Sequence, residues 1–239
     1  MSQCFALDVI EHNETSRDLA VLAELVDLYG RNEPIPKDDE YPLLFPRAPT
    51  ETTEGDVFAQ RHRNSVDPQR VLRIRDAIAN RDRGSDLLRY ICPWSRSSVP
   101  PQTADLILSQ AVLQDLSHEH DRDTLAETVR SMALWLRPGG IMSHQVDLSA
   151  PIGQRWNDHW TMSTWSWRLV RGRRPYYFNR APLSTYVELL ESNGLDVVSV
   201  TRVVDEGGRS RDELAHRFKD VTPEDLSTRG VNLIARKRP

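Results

Sequence analysis

The sequence predicts an α/β fold carried on a mostly parallel sheet, and three observations carry that expectation. Short apolar runs of strand length alternate with longer stretches of helical periodicity. The run Leu134 to Leu148, "LWLRPGGIMSHQVDL", passes from an amphipathic stretch through a proline-glycine turn into a strand. That strand finishes in His144, Gln145 and Asp147, polar residues where an open parallel sheet holds its ligands.

The elements follow in order. "CFALDVI" (Cys4 to Ile10) reads as a buried strand interrupted only by Asp8. "TSRDLAVLAELVDLYG" sets Leu19, Leu22, Leu25, Val26 and Tyr29 at helical spacing, with a capping box expected over Thr15 to Asp18 and Gly30 as the C-cap. Residues 31–66 are rich in proline and charge and read as a long excursion with little regular structure. "DPQRVLRIRDAIAN" opens a helix on Asp67-Pro68. Strands are expected over Leu87 to Cys92 and over "ADLILSQ" (Ala104 to Gln110). "DRDTLAETVRSMALWL" then places Leu125, Val129, Met132, Ala133 and Leu136 on one helical face, ahead of the strand "GIMSHQV". A tryptophan- and arginine-rich segment fills 151–181. "PLSTYVELLESNG" is a helix closed by Asn193-Gly194, and "LDVVSVTRVV" and "VNLIARKR" are the last two strands. Between those strands lies a polar connection with short helical pieces.

Composition narrows the function classes. The 239 residues, 38% hydrophobic and 28% charged, suffice for one large domain or two small ones. A formal charge of −4 argues against a polyanion-binding protein, so no nucleic-acid partner is expected. Two cysteines, Cys4 and Cys92, imply no disulfide framework and fit a reducing, cytoplasmic setting. No basic leader precedes the first apolar run, and no apolar run is long enough to span a membrane, so no membrane partner is expected.

The order "ADLILSQAVLQDL", then "TLAETVRSMALWLRPGG", then "IMSHQVDL" resembles the class I S-adenosylmethionine-dependent methyltransferases. In that family a strand of this type precedes a helix ending in a proline-glycine turn and a further strand. "ELLESNGLDVVSV" looks like the family's late helix and strand, and "VNLIARKR" like its final antiparallel strand. The resemblance covers roughly two thirds of the chain. It implies a Rossmann-like, mostly parallel sheet with an antiparallel C-terminal strand, in a single methyltransferase-like domain over 1–239. It implies S-adenosylmethionine as the cofactor and a small-molecule methyl acceptor. The family's glycine-rich loop and first strand are missing, because Asp8, at the end of the strand matching the family's second, is eight residues into the chain and no Gly-x-Gly occurs. A start placed too late, a natural fragment, or second and fourth strands closed directly on one another are the three expectations. A strand edge left unpaired would favour a homodimer.

Candidate site residues fall at strand ends. Asp8 or Glu11 would accept hydrogen bonds from the cofactor ribose, and Trp94 would stack on adenine; Ser109 and Gln110 would line the transfer cavity. Capping of a strand end by Asp8, and simple packing for Trp94, are the structural alternatives. His144 is the expected base that deprotonates the acceptor, against a histidine held at a strand end for structure alone. Gln145 and Asp147 on the other strand face, with His159, Trp160 and Arg180 from the aromatic segment, are expected to bind substrate. That segment reads as a lid for an aromatic, sugar or anionic acceptor, or as an amphipathic helix, Ser163 to Val170, laying its tryptophans on the sheet. Where the family often has Glu-His, this chain has Gln114-Asp115. The cluster His118 to Asp121 reads as solvated rather than as a metal site, and no metal is expected. The activity expected is methyl transfer to a small molecule; the alternative is a non-catalytic binding or scaffolding module of the same ancestry.

Overall fold

A computed structural model describes residues 3–11, 14–31, 33, 65–81, 85–117, 123–174 and 176–239. Most of the excursion at 31–66, and His118 to Asp121, lie outside the described residues. The chain divides into two compact units, Met1–Ser98 and Val99–Pro239.

The first unit holds two parallel strands, β1 (Cys4–Leu7) and β2 (Leu88–Ile91), with helices α1 (Thr15–Gly30) and α2 (Pro68–Ala79). β1 is shorter than expected and none of its residues is fully buried. Asp8 ends it: its Oδ1 accepts from the backbone N–H groups of Val9 (2.8 Å) and Ile10 (3.4 Å), folding the chain into a local turn. The expected capping box at Thr15 does not form. Glu14 occupies the N-cap position without a side-chain cap, and Thr15 is already helical. Gly30 likewise stays within the helix, and Arg31 caps it in ordinary right-handed geometry. α2 follows expectation: the Asp67 carboxylate accepts from Arg70 N at 3.0 Å, and Pro68 fills the first turn, where a missing N–H costs nothing. α1 packs on α2, and Arg81 beyond α2 pairs with Asp18 of α1 while lying over the Tyr90 ring.

The second unit is a four-stranded sheet in the order β3-β4-β6-β5. Its strands are β3 (Ala104–Gln110), β4 (Leu136–Asp147), β5 (Leu195–Val204) and β6 (Thr228–Lys237). β3 and β4 are parallel, and β6 is antiparallel to both β4 and β5. Three strands therefore run one way and the last runs against them, a Rossmann-like arrangement with the reversed C-terminal strand expected. β1 pairs with β2, and β3 with β4, each pair within its own unit.

Helices α3 (Thr124–Trp135) and α5 (Leu183–Ser192) pack on this sheet. Asp123 caps α3 by accepting from Ala126 N, and the expected face of Leu125, Val129, Met132 and Ala133 is buried. Under it lie Met142, His144 and Val146 of β4 with Val231, Leu233 and Ala235 of β6, all essentially inaccessible. Each such large apolar side chain contributes about 1.5–3 kcal/mol by leaving water. On the opposite face Leu106 and Leu108 of β3 are exposed, and Val198 and Val200 are exposed on the edge strand β5, whose alternation a bulge between Val197 and Ser199 interrupts.

A second core joins the 151–181 segment to the β5–β6 connection. Trp156, Trp160, Leu214 and Phe218 form it, with Trp160 stacked on Phe218 at 5.6 Å. Helix α4 (Thr164–Arg171) follows the Ser163 N-cap. Its tryptophans divide: Trp167 is buried and Trp165 is exposed, so only one of them packs inward. The short helix α6 (Pro223–Ser227) leads into β6.

Candidate functional site at the strand ends

In the first unit the parallel pair closes on itself at its carboxyl end. Asp8 N donates to Ile91 O and Trp94 N donates to Asp8 O, each at 3.1 Å, so Asp8 and Trp94 are neighbours. The main chain of Asp8 thus bridges β1 to the segment after β2, while one carboxylate oxygen is occupied by its own turn. Asp8 and Trp94 are half-buried, and Glu11, three residues beyond Asp8, is exposed.

In the second unit β3 and β4 end side by side. The register pairs Ser109 with His144 and Gln110 with Gln145. Alternation along the strands then separates two faces. Ser109 and His144 lie on the helix-covered face, where Ser109 Oγ is 2.7 Å from His144 Nδ1. His144 is fully buried, and no group among the described residues bonds to its Nε2. Burial pushes its pKa down to about 4, so the imidazole is neutral at physiological pH.

Gln145 and Asp147 lie on the other face and are half-buried; Gln110 is exposed. Asp147 Oδ1 accepts from Ser149 N, fixing the turn out of β4. Opposite, β3 leaves through Ala111, whose N–H donates to Gln145 O and whose φ is +50°, into the short turn Leu113–Asp115. The Asp115 carboxyl is raised above its ordinary value, first by partial desolvation and then by the charge of Asp147. The charge of Asp147 thus disfavours ionisation of Asp115.

Asn179 ties this turn down, a role the sequence did not reveal. Its Nδ2 donates to Leu113 O, its backbone N to Gln114 O, and its Oδ1 accepts from Tyr186 Oη and Ala181 N. Tyr186 is buried, and desolvation raises its pKa well above the usual value, keeping the phenol neutral.

His159, Trp160 and Arg180 are brought together, but inside the second core. Each is at most 1% exposed. His159 lies among the rings of Trp160, Trp167 and Phe178 at 5.0–6.3 Å. Burial, helped by the Arg180 charge, pushes its pKa down to about 3. The Arg180 guanidinium donates to Met162 O at 2.9 Å and lies over the Trp167 and Phe218 rings. Among the described residues no group of three or more His, Cys, Asp or Glu side chains could hold a metal ion.

No protein-family model and no curated protein matches the chain. Solved structures do. The chain is similar to the 4+2 cyclase SpnF, at 18% identity and a TM-score of 0.39, over 70% of this chain and 63% of that one. It is similar to the 1,6-didemethyltoxoflavin-N1-methyltransferase of Burkholderia thailandensis, solved with S-adenosylhomocysteine, at 16% identity and a TM-score of 0.38, over 69% and 57%. A third is an S-adenosylmethionine-dependent methyltransferase from Mesorhizobium loti, at 14% identity and a TM-score of 0.41, over 76% and 85%. The chain spans less than two thirds of the length of the first two.

Proposed function

We propose that the chain is an S-adenosylmethionine-dependent methyltransferase acting on a small molecule. The observation that carries this reading is the sheet order of the second unit. Three strands run together, and the last strand is reversed between β4 and β5, as the motif resemblance requires. In the first unit, Asp8 and Trp94 at one parallel strand end suit a ribose diol and an adenine ring, and Asp8 keeps a second carboxylate oxygen outside its own turn. The cofactor would supply the electrophilic methyl group. Glu11 is assigned beside Asp8.

In the second unit Ser109, Gln110, Gln145 and Asp147 are assigned to the strand-end surface. Catalysis there is chiefly positioning of the acceptor. His144 is neutral and so has the protonation state of a base, but it opens to an acceptor only if the strand ends part from the helices above them. His159, Trp160 and Arg180 support the segment that would cover the substrate.

A second reading, a non-catalytic binding module, draws support from the full burial of His144, the candidate base. Calorimetric titration of S-adenosylhomocysteine into the full chain and into Asp8→Ala decides between them. Micromolar binding that Asp8→Ala abolishes is the expected result. No binding to the parent chain overturns the enzymatic reading and leaves the second.

A further inference from the structure

The chain carries 35 acidic residues, yet none occurs between His159 and Val187, a run that holds five arginines. α4 lies inside that run. Its inner side is anchored by Trp167, 1% exposed and stacked on Tyr177 at 5.3 Å. Its outer side presents Trp165 and Leu169, one helical turn apart, at 71% and 63% exposure. Arg168 shares that outer side, and Arg173 and Arg174 follow directly after the helix, all exposed. Arg174 is held in place, its guanidinium 4.0 Å from the Tyr177 ring centre and donating to Arg171 O and Val170 O. Two exposed apolar side chains beside the exposed Arg173 and Arg174, on an anchored helix within a stretch of sequence that holds no acid, are poorly explained by packing.

We propose that this face of α4 docks on an anionic lipid bilayer. Trp165 and Leu169 enter the headgroup boundary, and Arg173 and Arg174 meet the lipid phosphates. Charge complementarity selects this occupant. An overall acidic chain keeps the sequence around its most exposed tryptophan free of acids and sets arginines there, the composition of an interfacial helix rather than of a spanning one. Indole prefers the headgroup level, and arginine stems lie along apolar surface while their heads stay wet. No helix among the described residues is long and apolar enough to cross a membrane, and surface docking needs none. The inference is independent of the methyltransferase reading.

The test is co-sedimentation of the full chain with vesicles of phosphatidylcholine alone and of phosphatidylcholine mixed with phosphatidylglycerol. Binding to the mixed vesicles should exceed binding to the neutral ones by about tenfold or more, and should weaken as salt rises. Trp165→Ser and Arg173→Glu, both at exposed positions with circular dichroism as the folding control, should each weaken it by about fivefold or more. Equal partition into both vesicles, or no binding to either, overturns the proposal. So does vesicle binding that survives both substitutions. Displacement of the vesicles by RNA that needs the same residues also overturns it, in favour of a nucleic-acid surface.

Discussion

Ser109 Oγ and His144 Nδ1 lie 2.7 Å apart, directly across the β3–β4 pair, with His144 fully buried and Ser109 half-buried. A second side-chain link between the same strands, Arg137 Nε donating to Asp105 Oδ1 at 2.6 Å, lies at exposed positions near their start. Ser109→Ala strands a buried ring nitrogen and should cost about 1–3 kcal/mol. It should lower the urea midpoint without changing the slope. Combining it with His144→Leu should recover part of that loss, because removing both polar partners is cheaper than orphaning one. A double-mutant cycle on unfolding free energy reads this directly.

Acid should unfold the second unit through its buried histidines. In the unfolded chain each histidine takes a proton near pH 6.5. In the folded chain His144 resists protonation until about pH 4 and His159 until about pH 3, both chiefly through desolvation. The unfolded state thus binds more protons between these limits, and stability falls as pH drops below 6.5. The surroundings of His159 include Arg180, which opposes its charging, and Asp158, which favours it. His144 alone accounts for on the order of 3 kcal/mol. His144→Gln should remove about one proton's worth of slope from stability measured by urea between pH 6.5 and 4.

Asp225 is the buried acid to remove if α5 is to be loosened. It is 1% exposed, and its carboxylate accepts from Ser184 N, Ser184 Oγ, Thr222 N and Thr222 Oγ, at 2.9–3.0 Å. One side chain therefore closes the start of α6 and ties it to the first turn of α5. Asp225→Ala should cost about 3 kcal/mol or more, since several donors lose their acceptor together. Thermal unfolding followed by circular dichroism checks it, and Asp225→Asn should lie between alanine and the parent.

The two glycines of the "RPGG" turn should respond unequally. Gly139 has φ +74° but open space around it, so Gly139→Ala should cost about 1–2 kcal/mol from backbone strain alone. At Gly140 an added Cβ would sit 2.9 Å from Arg137 O and 3.1 Å from Ala104 O, both backbone atoms that cannot swing aside. Gly140→Ala should therefore be the worse of the two in melting temperature, because it pushes β3 away from the start of β4.

Periodicity made the second unit legible. β3 and β5 run over the residues expected, and α3 buries the face its spacing marked out. β1 was overread because an apolar run continues past Asp8, whereas Asp8 turns the chain by bonding to the next two amides. The capping box at Thr15 matched a pattern of residue types, yet the helix begins one residue earlier than that pattern needs. Of the site, the strand ends were legible and the burial of His144 was not, because which strand face the helices cover is decided by packing. Asn179 gave no signal, since its partners are two main-chain groups and a tyrosine. The Thr222-Pro223-Glu224-Asp225 box, by contrast, can be read from sequence.

The position of β6 between β4 and β5 bears on how the protein is made. Among the described residues β5 pairs with no strand but β6, so residues 195–204 emerge from the ribosome before the strand they pair with. Only after Lys237 clears the exit tunnel can the sheet close in one step, with β6 as the wedge that zips both neighbours. Until then Val198 and Val200 belong to an unattached apolar strand, the segment a chaperone would meet first.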